Sequence, residues 1–294
     1  PDGVTLKVQV DGDYHGHERD AAGAAAAMLL ESIGTGRALD AGAVILGGVG
    51  EDGRRTPVQR LATRLRTLEG EAPPVIGVPM VSEEEIRDLA LMNELDVLTK
   101  FQIVSMVTLD DARALSARQR PEKVTKAMEL FAPVTQAAGT TPLPSLLKNA
   151  KFLQRLKEVA ALMPNHLSAR LLLQAATGKL PGRITLGTSR QAILKAIKPF
   201  VDATSGKGDA ASIKKAATEG GNILLRLQPK IHPSVERYLM AVKAYLRSVN
   251  NFLDIRNDAQ HATMRYKAQV ELAKLLSDVE AEKQKLDQKG GADE

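Results

Sequence analysis

The run at residues 21–33, Ala-Ala-Gly-Ala-Ala-Ala-Ala-Met-Leu-Leu-Glu-Ser-Ile, most limits the folds open to this chain. Alanine, leucine and methionine are the strongest helix formers, and with Glu31 as its one charged residue the run predicts a helix buried on most of its faces. Gly34 and Gly36 then stop it, since glycine readily takes the left-handed conformation that ends helices. Residues 43–46, Ala-Val-Ile-Leu, read as a short buried strand, and Glu51-Asp52-Gly53 as a turn. Residues 57–68 read as a basic amphipathic helix, with Val58, Leu61, Leu65 and Leu68 on one face and Arg60 and Arg64 on its flank. A buried helix that leads into a buried strand implies an α/β layer.

The same alternation continues to about residue 117. Residues 5–10 alternate with period two and read as a strand, 75–78 as a buried strand, and 103–107 as the last strand. Ser82 opens a helix whose Glu83, Glu84 and Glu85 suit the positive end of the helix dipole. The composition changes over 116–121, and every later periodic segment is helical. Helices are expected over 122–137, broken or kinked near Pro133, then over 145–163, from His166, and over 189–203, 210–227, 233–255 and 258–288. Gly139 to Pro144 reads as a linker. The helix, Pro164-Asn165 turn and Leu-rich helix resemble a single tetratricopeptide-type unit. The expected division is therefore 1–118, α/β, and 119–294, a helical bundle or tetratricopeptide-like region.

Charge divides at the same place. Residues 1–120 hold 13 Lys+Arg against 19 Asp+Glu, a formal −6, whereas 121–294 hold 27 against 16, a formal +11. A basic helical region can attract nucleic acid, anionic lipid or an acidic protein. With no Trp, four Tyr and five Phe, however, base stacking is poorly supplied, so solvated helix faces and a protein partner are the expectation. No apolar run reaches the length of a membrane span. The absence of cysteine excludes disulfides and thiolate metal sites.

In the polar loop 11–20, His15, His17, Glu18 and Asp20 could be drawn as a metal cluster. Ligands so close on one loop need a further partner from elsewhere, so a solvated loop, with Asp20 capping the helix, is the expectation. No metal or cofactor is predicted. Ser205-Gly206-Lys207-Gly208-Asp209 lacks the spacing and preceding strand of a phosphate loop. His232 and His261 read as structural or solvated.

Residues 18–64 resemble the proteolytic domain of the Lon-type serine proteases (peptidase family S16). Ala22-Gly23, Thr35-Gly36-Arg37, Ala43, Gly47, Gly53 and Pro57-Val58 fall at that family's spacing without a gap. A weaker likeness runs through Val75 to Pro79, Glu83 to Leu89, Ile103 to Val107 and Leu109 to Ala112, so that it covers about 4–117. The resemblance implies an α/β (α+β) fold of the ribosomal-protein-S5 domain 2-like type, followed by the all-helical region. The chain opens Pro-Asp-Gly without an initiator methionine or signal peptide, as a trimmed fragment would, and the family's upstream strands are not in it.

The resemblance also implies where chemistry would lie. In the family a serine is activated by a lysine amine, which must lose its proton to act as a base. The serine position is Ala21 and the lysine position is Arg64, whose guanidinium stays protonated. The family's aspartate is Glu18, with Asp20 close by, and its Gly-Gly before the lysine is Gln59-Arg60. No lysine lies between Lys7 and Lys100 to stand in. An engineered serine-to-alanine change would leave Arg64 unexplained. The expectation is thus a non-catalytic relative that acts as a binding or assembly scaffold through its helical region. Two alternatives stand beside it: an active Lon-type peptidase with a rebuilt dyad, and a helical interaction module for which the α/β part is a stabilising base. No Walker-type nucleotide motif is present.

Overall fold

The computed structural model describes residues 19–50, 55–56, 58, 61–68, 75–180, 182–206, 208–255 and 261–290. The strand expected over 5–10, the loop up to Glu18 and the turn 51–53 lie outside these residues. The chain divides into two compact units, residues 1–181 and 182–294.

In the first unit the order is α1 (Arg19–Thr35), β1 (Ala43–Ile45), β2 (Gly48–Val49), β3 (Arg55–Thr56), α2 (Leu61–Thr67), β4 (Val75–Pro79), α3 (Glu83–Leu91), α4 (Asp96–Lys100), β5 (Gln102–Met106) and α5 (Leu109–Ser116). Then come α6 (Glu122–Thr140), α7 (Leu143–Leu146), α8 (Ala150–Leu162) and α9 (Leu167–Ala176). β1, β4 and β5 form a parallel sheet in the order β1-β4-β5, with Val44 opposite Ile76 and Ile76 opposite Ile103. β4 and β5 are buried along their whole length, which is why they read as apolar runs rather than as alternating ones. β2 and β3 make a small antiparallel ribbon.

α1 is less buried than its composition predicts. Ala21, Ala24 and Met28 form a buried stripe, while Leu29 and Ile33 are exposed, so the helix packs along one side only. Gly36, at φ +68°, follows its end. α2 is shorter than expected but buries the predicted face: Val58, Leu61 and Leu65 are almost inaccessible.

The helices 122–176 belong with the sheet, not with the later helices. One hydrophobic core runs continuously from Ala21 through Ile76, Ile103, Phe131 and Leu156 to Leu172. The expected change from mixed to helical structure does fall at Ser116, but the compact units part at 181/182 rather than at 118. The reason is the outer edge of β5, where Ser105 N–H donates to Asn165 O (2.8 Å) and Asn165 Nδ2 to Ser105 O (2.8 Å). Ile103 N–H donates to Ser168 Oγ (2.9 Å), which itself donates to Phe101 O (2.7 Å). An unpaired edge on a buried strand is costly, and the turn between α8 and α9 closes it.

Two further expectations are corrected. α6 runs through Pro133 as one helix, so the expected break is absent; Pro133 has no N–H to offer the carbonyl of Glu129, an exposed residue. The expected linker 139–144 is mostly helical, with only Thr141-Pro142 between α6 and α7, and Asn149 caps α8 by accepting from Lys151 N–H (2.9 Å) and Phe152 N–H (3.2 Å).

The second unit is helical throughout its described residues: α10 (Leu186–Ser205), α11 (Ala210–Leu227), α12 (Glu236–Asp254) and α13 (Ala262–Gly290). Each packs on the next in sequence. Asp209 caps α11 by accepting from Ser212 N–H at 2.7 Å.

Candidate functional site

The start of α1 meets the carboxyl end of β1 at Ala21, Gly23 and Gly47. As the chain leaves that strand, Gly47 N–H donates to Ala21 O (2.9 Å) and Gly47 O accepts from Ala24 N–H (2.8 Å). The first turn of α1 is thereby tied to the end of the sheet, the side on which open α/β sheets place their ligand crevices. Gly47 has φ +119°, and a Cβ there would lie 2.5 Å from Cγ of Pro79, the last residue of β4. Gly23 approaches the ribbon less tightly, with its would-be Cβ 3.1 Å from Val49 N. Gly47 is the position that needs glycine so that helix, strand and ribbon can share one corner. Ala21 is buried in this corner, 7% exposed, and presents only a methyl group.

α2 and α3 pack on each other. The Glu85 carboxylate accepts from the backbone N–H groups of Ala62 and Leu61, so it caps α2 from another helix. Burial pushes its pKa up, the two N–H donors pull it down, and the charge of Asp88 adds to the rise. Ser82 does not cap its own helix; its buried hydroxyl accepts from Val58 N–H at 3.2 Å. Arg64 lies on α2, half-buried beside Leu65, and it is engaged rather than free.

A second polar cluster lies at the edge of β5. His166, fully buried, accepts at Nδ1 from Ala169 N–H (3.2 Å) and so caps α9. That contact fixes the proton on Nε2, which faces Gln102 Oε1 at 3.4 Å, and the ring lies 4.7 Å from that of Phe131. Desolvation lowers its pKa to about 4, so the imidazole is neutral at ordinary pH. Ser168 is committed to the strand backbone on both sides, as described above. A histidine and a serine stand close together here, but both are consumed in structure.

Of the predicted residues, Ala21 lies at the corner and Arg64 on α2. Asp20 falls within the first turn of α1, which begins at Arg19, instead of preceding the helix as a cap. His15, His17, Glu18, Gln59, Arg60 and the side chain of Asp20 lie outside the described residues, and with them the expected pairing of Arg64 to Glu18 or Asp20. Among the described residues no group of three or more His, Asp or Glu side chains could hold a metal. No helix of the described residues is long and apolar enough to cross a membrane. His232 accepts from Ser234 N–H at Nδ1 (3.2 Å) and caps a short helical turn. Sequence reasoning missed Glu85, Gln102, His166 and Ser168; the available signal was polar residues set inside or directly beside apolar runs.

The chain matches no protein-family model, no curated protein and no solved structure.

Proposed function

We propose that this chain is a non-catalytic relative of the Lon-type proteases that serves as a binding or assembly scaffold. The observation that carries the reading is the methyl of Ala21, seated where the resemblance calls for a nucleophile and enclosed by the Gly47 corner. No bond can form to a substrate from that side chain. Arg64, permanently charged, cannot act as the base. A rebuilt dyad would need another activated hydroxyl. Among the described residues, the side-chain hydrogen bonds of Ser32, Ser116 and Ser168 go to backbone groups, and Ser82 accepts from one. Lys100, the first lysine of the described residues, donates to Leu68 O (3.0 Å) and lies over the Phe101 ring, 5.0 Å from its centroid. The helical segments, basic in net charge, supply the surface for a protein partner.

The test is peptidase activity of the purified chain against an unfolded protein and short peptides. No turnover above a mock purification is expected. Turnover that a serine-reactive fluorophosphonate abolishes would favour the active peptidase and remove the scaffold reading.

A further inference from the structure

A groove of about 1190 Å³ runs between the loop after α1 and the end of α5. Its lining includes four arginines, Arg37, Arg113, Arg118 and Arg120, against one acid, Asp110. The two walls are joined by short antiparallel pairing, in which Arg118 N–H donates to Ala38 O (3.0 Å) and Asp40 N–H to Ser116 O (2.7 Å). The position of the arginines is therefore set by backbone, not by flexible tails.

The four are not equivalent. Arg113 is held from behind, with Nε 2.6 Å from a Glu31 carboxylate oxygen and a second contact to Asp110. Arg120 is held by Asp40 at 2.5 Å and donates from Nε to Leu115 O at 2.8 Å. Asp40 in turn accepts from Gly42 N–H, and that bond together with the Arg120 charge keeps its carboxyl below the usual range, so it stays ionised and holds Arg120 in place. Arg37 is more than half exposed and makes a loose ion pair of 3.8 Å to Glu31. Arg118 is exposed, and its charge acts on Asp40 without a side-chain hydrogen bond to it. Two fixed cations thus stand behind two whose donors are turned to solvent, along a lining that otherwise includes Ala38, Ala114, Ala117 and Pro121.

We propose that this groove binds an acidic peptide segment of a protein partner, with Arg37 and Arg118 as the groups that grip its carboxylates. Planar guanidiniums pair with carboxylates through two parallel hydrogen bonds, which gives geometry as well as charge. Nucleic acid fits less well, because the lining has no aromatic side chain on which a base could stack. A lone phosphate would fill only a small part of the groove. The site does not depend on protease ancestry, so the peptidase test above and the one below can fail separately.

The experiment is fluorescence anisotropy with the full chain and a fluorescein-labelled peptide of alternating Glu and Gly at low ionic strength. Saturable binding is expected, weakened roughly tenfold or more by the double change Arg37→Ala and Arg118→Ala. Arg118→Lys alone, which keeps the charge but not the fork, should weaken it less. Lys267→Ala with Lys274→Ala, at exposed positions on α13, should leave it unchanged. The proposal is overturned if binding is not saturable, if the α13 changes weaken it equally, or if an oligothymidylate of matched charge binds as tightly. Displacement by inorganic phosphate at concentrations comparable to the peptide's would also overturn it. Circular dichroism of each variant separates lost binding from lost folding.

Discussion

Acidification should loosen the first unit through a single residue, His166. Its imidazole is neutral in the fold, with a pKa of about 4 against an ordinary value of 6.5. The folded state therefore binds the proton later than the unfolded chain does. Above pH 6.5 neither state is protonated and the neutral ring contributes in full. As pH falls from 6.5 towards 4 only the unfolded chain takes up a proton, so stability falls. A difference of this size is worth roughly 3 kcal/mol across the window, at 1.36 kcal/mol for each unit. Protonation of Nδ1 also removes the acceptor that caps α9. No carboxylate contributes to the His166 shift, and the one raising influence, a backbone hydrogen bond, is outweighed by desolvation. Glu85, whose pKa is raised, acts with the opposite sign and gives up stability as pH rises through its own range. Native-state hydrogen exchange read on peptides covering α9, with α12 as internal reference, measures the effect unit by unit. His166→Asn keeps a capping acceptor but cannot titrate. The variant should be less stable at neutral pH, and its protection should stay flat between pH 6.5 and 4.5 where the parent chain loses it. Equal slopes in the two would refute the assignment.

Two further predictions rest on single contacts. Gly47→Ala combines a backbone conformation closed to side chains with a would-be Cβ 2.5 Å from Pro79, and should destabilise the first unit by about 2 kcal/mol or more in urea melts. Asp209→Ala removes the cap of α11 and should cost about 1 kcal/mol, seen as faster exchange in the first turn of α11 and no change in α9.

The apolar runs at 75–78 and 103–107 and the amphipathic face of α2 were legible because burial of a whole strand, or of one helix face, leaves a pattern along the chain. The helix boundaries of α11 and the final helices were legible for the same reason. Leu29 and Ile33 misled, because helix-forming composition is silent about how many sides a helix packs. Pro133 misled because the cost of a proline depends on whether the carbonyl it frees can reach water. The boundary at 118 was drawn where strands stop, but the bonds that complete the sheet come from Asn165 and Ser168, and no local pattern records a partner 60 to 65 positions away. At the candidate site it was visible in the letters that Ala21 and Arg64 offer neither a nucleophile nor a base. The capping of α2 by Glu85 was not, since it joins two helices through space.

The closing of β5 by the α8–α9 turn also sets an order on the making of this protein. A strand finished by residue 106 must wait for Asn165 and Ser168 before the backbone groups along its outer edge have partners. During synthesis that interval leaves a buried-type strand with an open side, the state in which chains pair with one another. The helical segment 122–162 is what emerges during the wait. Its helices α6 and α8 pack on each other through contacts near in sequence, the kind that form without a distant partner, so the closing turn can arrive on a segment already folded.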